Sequence, residues 1–200
     1  MSPRTEEVNQ RIREEQREKI LTAASKVFAY KGFAATKMAD IAAEAGVSYG
    51  LAYHYFANKE TIFSELVEKA MKGAIRVLQT ALEGPGTPWE RIRWMVTQEL
   101  DGLRHQPEYA MLVLQTLTTE SAPEELREMI RRLSVTHKKM RCQLIVEGQL
   151  AGQVVQDDPD RLATVYNACI TGLAFDILSE HEQYLANFPD VDSVLRILKA

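Results

Sequence analysis

Residues 36–56 read TKMADIAAEAGVSYGLAYHYF, and this stretch decides the fold. Its pattern is a short helix, a tight turn and a second short helix. Thr36 stands where a hydroxyl caps a helix over 37–45 by accepting a free N–H of its first turn. Gly46 supplies the positive φ that such a turn needs. Ser48 caps the second helix, which ends near Phe56. Ile41, Ala45, Val47 and Leu51 make the apolar wedge between the two helices, and Ala42 is small where the second crosses it closely. Ser48, Tyr49, Gly50, Ala52, Tyr53 and His54 are then left on the outer face. Hydroxyls and rings, with a glycine allowing close approach, suit the major groove of double-stranded DNA. Tyr55 and Phe56 are read as core. Asn58 caps the next helix. Lys59, at its start, adds an ammonium to free backbone N–H groups, a combination that fits a phosphate.

Upstream, a helix is expected from about Asn9 to Lys31, with Ile20, Ala24, Val27 and Phe28 on one face. Gly32 is its left-handed stop, with Phe33 folding back against it. Within this helix the charged stretch Arg11–Lys19 interleaves acids with bases, Glu15 and Lys19 at i,i+4 among them, and reads as a solvated face. Arg11 or Arg13 reaching a flanking phosphate stays open. Downstream, a helix from Asn58 to Glu83 is broken by Gly84-Pro85-Gly86. Thr87 and Glu90 form a capping box for a helix to about His105. Further helices follow over about 106–120, Pro123–Leu150 and Pro159–Glu182, with a short last one after Asp190. Alternating strand patterns are absent. The expected fold is all-α with about nine helices: a helix-turn-helix DNA-binding domain at 1–60, then a helical effector-binding and dimerisation domain at 61–200.

Composition narrows the function. The net charge is −4, yet residues 1–60 hold nine Lys and Arg against eight Asp and Glu, while the remainder holds fifteen against twenty. Only the N-terminal part avoids strong repulsion from phosphate. No apolar run approaches the ~18 residues of a membrane span, and the first residues carry no apolar signal core; a cytoplasmic protein with no membrane partner is expected. Cys142 and Cys169 have no CxxC spacing and read as free thiols. His54, His105, His137 and His181 are scattered without metal spacing. No phosphate loop, nucleophile elbow or paired catalytic motif appears, so no catalytic residue, metal or cofactor is assigned. Arg131, Arg132, Lys138, Lys139 and Arg141 form a second basic cluster, read as surface beside Glu124, Glu125 and Glu128.

Three segments carry a resemblance: ILTAASKVFAYKGF (20–33), MADIAAEAGVS (38–48) and AYHYFANKETIF (52–63). In this order and spacing they resemble the N-terminal signature of the tetracycline-repressor (TetR) family. The resemblance covers about residues 18–66. It implies a homodimer whose last two long helices pair between subunits, and a small molecule bound in the core. It also implies that Thr36, Lys37, Tyr49, Tyr53, His54 and Lys59 fall where the family contacts DNA. Ala52 departs from the pattern, since that position is often larger in the family.

The expected function is therefore a DNA-binding transcriptional regulator. It would be a repressor released from operator DNA by a small, largely apolar effector; the rival is a regulator of the same fold with no small-molecule effector. The expected effector lining is Trp94, Met95, Gln98, Met111, Gln115, Met140, Gln143, Glu147 and Phe175, a mixture of bulky flexible and polar side chains at helical spacing. The alternative for these residues is an ordinary core. On the fourth long helix, Val165–Leu178 is apolar on more than one face, and Ala168, Gly172 and Ala174 allow close approach of a second subunit.

Overall fold

The computed structural model describes residues 3–119, 122–179 and 186–200. Its described helices are α1 (Pro3–Lys31), α2 (Met38–Glu44), α3 (Tyr49–Tyr55), α4 (Lys59–Glu83), α5 (Pro88–His105), α6 (Glu108–Thr118), α7 (Glu124–Leu150), α8 (Pro159–Ser179) and α9 (Val191–Leu195). Among the described residues the only extended pairing is an isolated bridge between Val154 and Lys199.

Local chemistry sets most boundaries. Gly32 at φ +80° and Gly46 at φ +59° make the turns on either side of α2, each of which requires a left-handed residue. Ser48 Oγ accepts the Leu51 N–H at 3.1 Å, and Asn58 Oδ1 accepts the Thr61 N–H at 2.8 Å. Thr87 and Glu90 cap α5 reciprocally, the Glu90 carboxylate accepting the Thr87 N–H at 2.8 Å. That bond holds the Glu90 carboxyl below its ordinary range.

Four expectations need correction. α1 begins at Pro3 rather than Asn9; proline is tolerated in a first turn, and the acid at Glu6 suits the helix dipole there. Thr36 does not cap α2. It is 1 % exposed and donates its hydroxyl inward to the Gly32 carbonyl at 2.7 Å. The cap position is Lys37, whose N–H is accepted by the Asp40 carboxylate at 2.9 Å. Arg141 is not surface but buried, 3 % exposed. α6 ends at Thr118; its expected end at residue 120, the expected end of α8 at Glu182 and the histidine at 181 lie outside the described residues.

The apolar residues form two clusters. One gathers Phe28, Phe33, Ile41, Ala42, Ala52, Phe56 and Phe63 with Leu112, Leu126 and Ile130. Phe63 sits between Phe28 and Phe33, ring centroids 5.0 and 4.7 Å away. The other holds Leu78, Ile92, Met95, Leu144, Tyr166 and Ile177. α4 feeds both, with Phe63 and Leu66 in the first and Leu78 and Ala81 in the second. At 1.5 Å per residue it is a beam of roughly 37 Å. The first cluster crosses residue 60 without a break, so packing joins the N-terminal helices to α4, α6 and α7.

Candidate nucleic-acid interface

α3 has seven residues and one buried side, and that determines what it presents. Ala52 is fully buried and Leu51 half-buried against α1 and α2. This reverses the expected placement of Ala52 on the outer face: it sets how closely α3 sits on the core and touches nothing outside. The exposed side carries Ser48, Tyr49, Gly50, Tyr53 and His54. No neighbour lies within 4 Å of where a Gly50 side chain would begin, so this face is open.

Tyr49 and Tyr53 are 56 % and 42 % exposed, unusual for large rings on a short helix. They lie one turn apart, ring centroids 4.8 Å, edge to face. Tyr49 donates its hydroxyl to that of Tyr53 at 3.3 Å, and this bond raises the Tyr53 phenol above its ordinary value. The Tyr53 O–H is left to donate outward. His54 meets Tyr55 edge to face, centroids 5.4 Å apart. The pair of phenols and the imidazole thus form a ridge of donors and acceptors, suited to base edges and phosphate oxygens.

Lys37 is exposed at the start of α2. Two residues expected to touch phosphate are turned inward instead. Thr36 is buried, as described above. Lys59 donates all three ammonium protons, to the carbonyls of Phe33 (2.8 Å), Ala34 (3.2 Å) and Thr36 (2.8 Å), and lies 4.8 Å from the Phe33 ring centre. It therefore ties the α1–α2 turn to the start of α4. On α1, Glu15 pairs with Arg11 at 2.9 Å rather than with Lys19, and Arg17 stacks on Phe56 while pairing with Glu65.

The expected effector residues are not gathered around one cavity. Trp94 and Phe175 are 39 % and 56 % exposed, and Gln98 and Gln143 are also exposed. Met95 is core; Met111 and Met140 are half-buried. Glu147 is bound by Arg91 at 2.6 Å and Gln143 at 3.0 Å, which together keep its carboxyl below its ordinary range. Gln115 does something else: its amide donates to the carbonyls of Phe28 and Ala29, both at 3.2 Å, fastening α6 to the end of α1.

Sequence reasoning missed a buried polar cluster between α5, α7 and α8. Arg141 donates to Glu99 at 2.6 Å and to Asn167 at 3.2 Å, and its guanidinium stacks on Tyr166 at 4.8 Å. Tyr166 donates its phenol to the other Glu99 oxygen at 2.5 Å. Burial drives the Tyr166 phenol well above its ordinary value. Burial, then the nearby Arg141 charge, lowers His137 to about 4.

Comparison with known proteins gives the family and the fold. Residues 20–66 match the bacterial regulatory proteins of the tetR family. The chain is 30 % identical over 158 residues to the HTH-type transcriptional regulator BetI of Rhizobium meliloti, covering 78 % of this chain and 75 % of that protein. Its fold resembles that of the MbdR regulator from Azoarcus sp. CIB, with a TM-score of 0.77 at 20 % identity over 92 % of this chain and 97 % of that one. It also resembles a Saccharomonospora viridis protein assigned as a transcriptional regulator and solved in complex with choline, with a TM-score of 0.68, 24 % identity and coverage of 92 % and 93 %.

Proposed function

The chain belongs to the tetR family of bacterial transcriptional regulators, and from that premise we propose that it is a homodimeric repressor whose α3 ridge reads operator DNA. The family consists of DNA-binding regulators rather than enzymes. The observation that carries the proposal is the exposed Tyr49–Tyr53 pair on a helix whose other side is buried. In this reading residues 1–60 form the reading head, with Ser48, Tyr49, Gly50, Tyr53 and His54 in the major groove and Lys37 at the backbone. Residues 61–200 dimerise and respond to a small molecule. Lys59 and Thr36 act indirectly, by holding the α1–α2 turn in register with α4.

Dimerisation is assigned to α7 and α8. Val165 and Phe175 are 49 % and 56 % exposed on α8, and the small residues Ala168 and Gly172 lie exposed on the same stripe. Such a stripe is expected to be covered by a second copy. Two recognition helices then stand about one DNA turn, ~34–36 Å, apart. A small molecule that favours another spacing lowers operator affinity, roughly 5–150-fold for a coupling of ~1–3 kcal/mol. Support for an effector comes from the choline complex of the similar fold. The α6–α1 link through Gln115 offers a path from body to head.

Genomic footprinting with the purified protein tests the DNA reading: discrete protected sites with two half-sites are expected, and uniform coverage sinks it. Light scattering tests the interface, because Ala168→Glu and Gly172→Glu should each yield monomers. Two dimers at low micromolar concentration would move the interface elsewhere.

A further inference from the structure

We propose that the groove between α7 and α8 is a binding site for a small monocarboxylate, seated on the buried Arg141. The groove has a volume of about 220 Å³ and is lined by Ser134, His137, Lys138, Arg141, Thr164 and Asn167, with Ala163 as an apolar wall. It deepens the effector reading above and rests on it only for the link to DNA.

The buried ion pair at its base is the first argument. A charged pair in an interior is no more stabilising than a well-packed apolar pair of the same volume. Here Arg141 and Glu99 have side chains only 4 % and 11 % exposed. Both oxygens of Glu99 are occupied, by Arg141 and by the Tyr166 phenol. The guanidinium is held by Glu99, Asn167 and the Tyr166 ring. Three contacts hold the guanidinium, and the Tyr166–Glu99 bond holds its partner, which fixes a planar fork in place as recognition of a planar carboxylate requires.

Unmet hydrogen bonding is the second. The Arg141 Nε–H is buried and has no acceptor, a state that native proteins rarely leave uncompensated. The lining of the groove contains no acidic residue. It is rich in donors instead: the Ser134 hydroxyl, the Asn167 amide and the Lys138 ammonium. The Asn167 oxygen is already taken by Arg141. The acceptors present are neutral, namely hydroxyls and the His137 ring nitrogen 3.5 Å from Arg141, and an oxygen-bearing anion supplies the charged acceptor that the lining lacks.

Charge and size narrow the class. Glu99 cancels Arg141 from behind, so the groove presents about one positive charge, from Lys138 at its rim. Lys138 pairs with Asp160 at 2.9 Å, but the side chains are 50 % and 71 % exposed, and such a pair exchanges readily. Asp160 is outside the lining. One net charge matches a monocarboxylate better than a phosphate dianion. The volume is below the roughly 300–1,000 Å³ of sites for drug-sized ligands, which points to a compound of few heavy atoms.

The test uses the full-length protein and thermal unfolding, with millimolar sodium acetate, pyruvate and benzoate as probes. Acetamide, benzamide, chloride and phosphate at matched ionic strength are the controls. The carboxylates should raise Tm by roughly 5–10 °C near a hundredfold excess over Kd, and the amides and phosphate should not. Arg141→Ala removes the seat but also breaks the ion pair, so the deciding variant is Asn167→Asp. Asn167 is exposed and its replacement keeps the bond to Arg141, while the added charge should weaken each carboxylate roughly tenfold or more. No response in the wild type, an equal response to amides or phosphate, or an unchanged response in Asn167→Asp overturns the site. Operator titration is run separately: a site that passes but leaves operator affinity unchanged retains the ligand and removes its regulatory role. Intact operator binding without any carboxylate response removes the site and leaves the regulator.

Discussion

The α3 ridge and the α7–α8 groove handle polar side chains in opposite ways. On α3, Tyr49, Tyr53 and His54 stand in solvent, Tyr49 against Tyr53 and His54 against the neighbouring Tyr55. Between α5, α7 and α8, Arg141, Glu99 and Tyr166 are sunk into the core and bonded to one another, with the Arg141 Nε–H left without an acceptor. Exposed groups on a short helix contribute little to folding and are free to serve recognition. Buried charged groups are bound up with stability, because each is expensive without its partner. The two regions should therefore separate in experiment: changes in α3 alter DNA binding and leave stability alone, while changes around Arg141 alter stability first.

The largest expected effect is Arg141→Ala. It leaves the Glu99 carboxylate buried without its counter-charge and should cost about 3–5 kcal/mol in denaturant unfolding. His54→Ala, by contrast, should stay within ~0.5 kcal/mol of wild type. Equal stability of these two variants would break the comparison. Next comes acid. His137 in the folded chain takes a proton only near pH 4, whereas unfolded histidine does so near ~6.5. Stability is thus intact above ~6.5 and falls as pH drops toward 4, by up to about 3 kcal/mol. Other groups titrate in acid too, so the measure is the difference from His137→Gln, whose unfolding free energy should fall less steeply over this window.

Lys59→Ala sharpens the comparison from the head side. Losing three bonds from one ammonium should cost about 1–3 kcal/mol and weaken binding to operator and random duplex alike. A loss confined to operator DNA would mean that Lys59 reads bases after all. The smallest effect is Asn58→Ala, a lost cap worth ~1 kcal/mol by thermal unfolding, with discrimination between DNA sequences unchanged.

The head was legible in the sequence because its signals are local. Gly32, Gly46, Ser48 and Asn58 each act on backbone within four residues, and all four do in the structure what their chemistry implies. Ala52 was misjudged because its burial depends on a cluster gathered from elsewhere in the chain, and Thr36 because its hydroxyl turns inward to the Gly32 carbonyl instead of capping α2. Lys59 was misjudged for the same reason: its partners lie 23 to 26 positions away. In the body nothing local distinguishes Arg141 from Lys139, and helical spacing does not say which face another helix covers. The Arg141 to Glu99 and Tyr166 to Glu99 bonds span 42 and 67 residues, beyond any periodicity. Trp94 and Phe175 show the converse, since large apolar side chains were assigned to an interior that the packing of α5 and α8 does not give them.

The account's central claim is that the exposed face of α3 reads DNA. It is tested most directly by titrating the wild type and Tyr53→Ala against a footprinted operator and a random duplex at several salt concentrations. The account predicts that the variant melts like the wild type, keeps its salt dependence on random duplex, and binds the operator only as tightly as random DNA. A Tyr53→Ala protein that still prefers the operator as strongly as the wild type would contradict it.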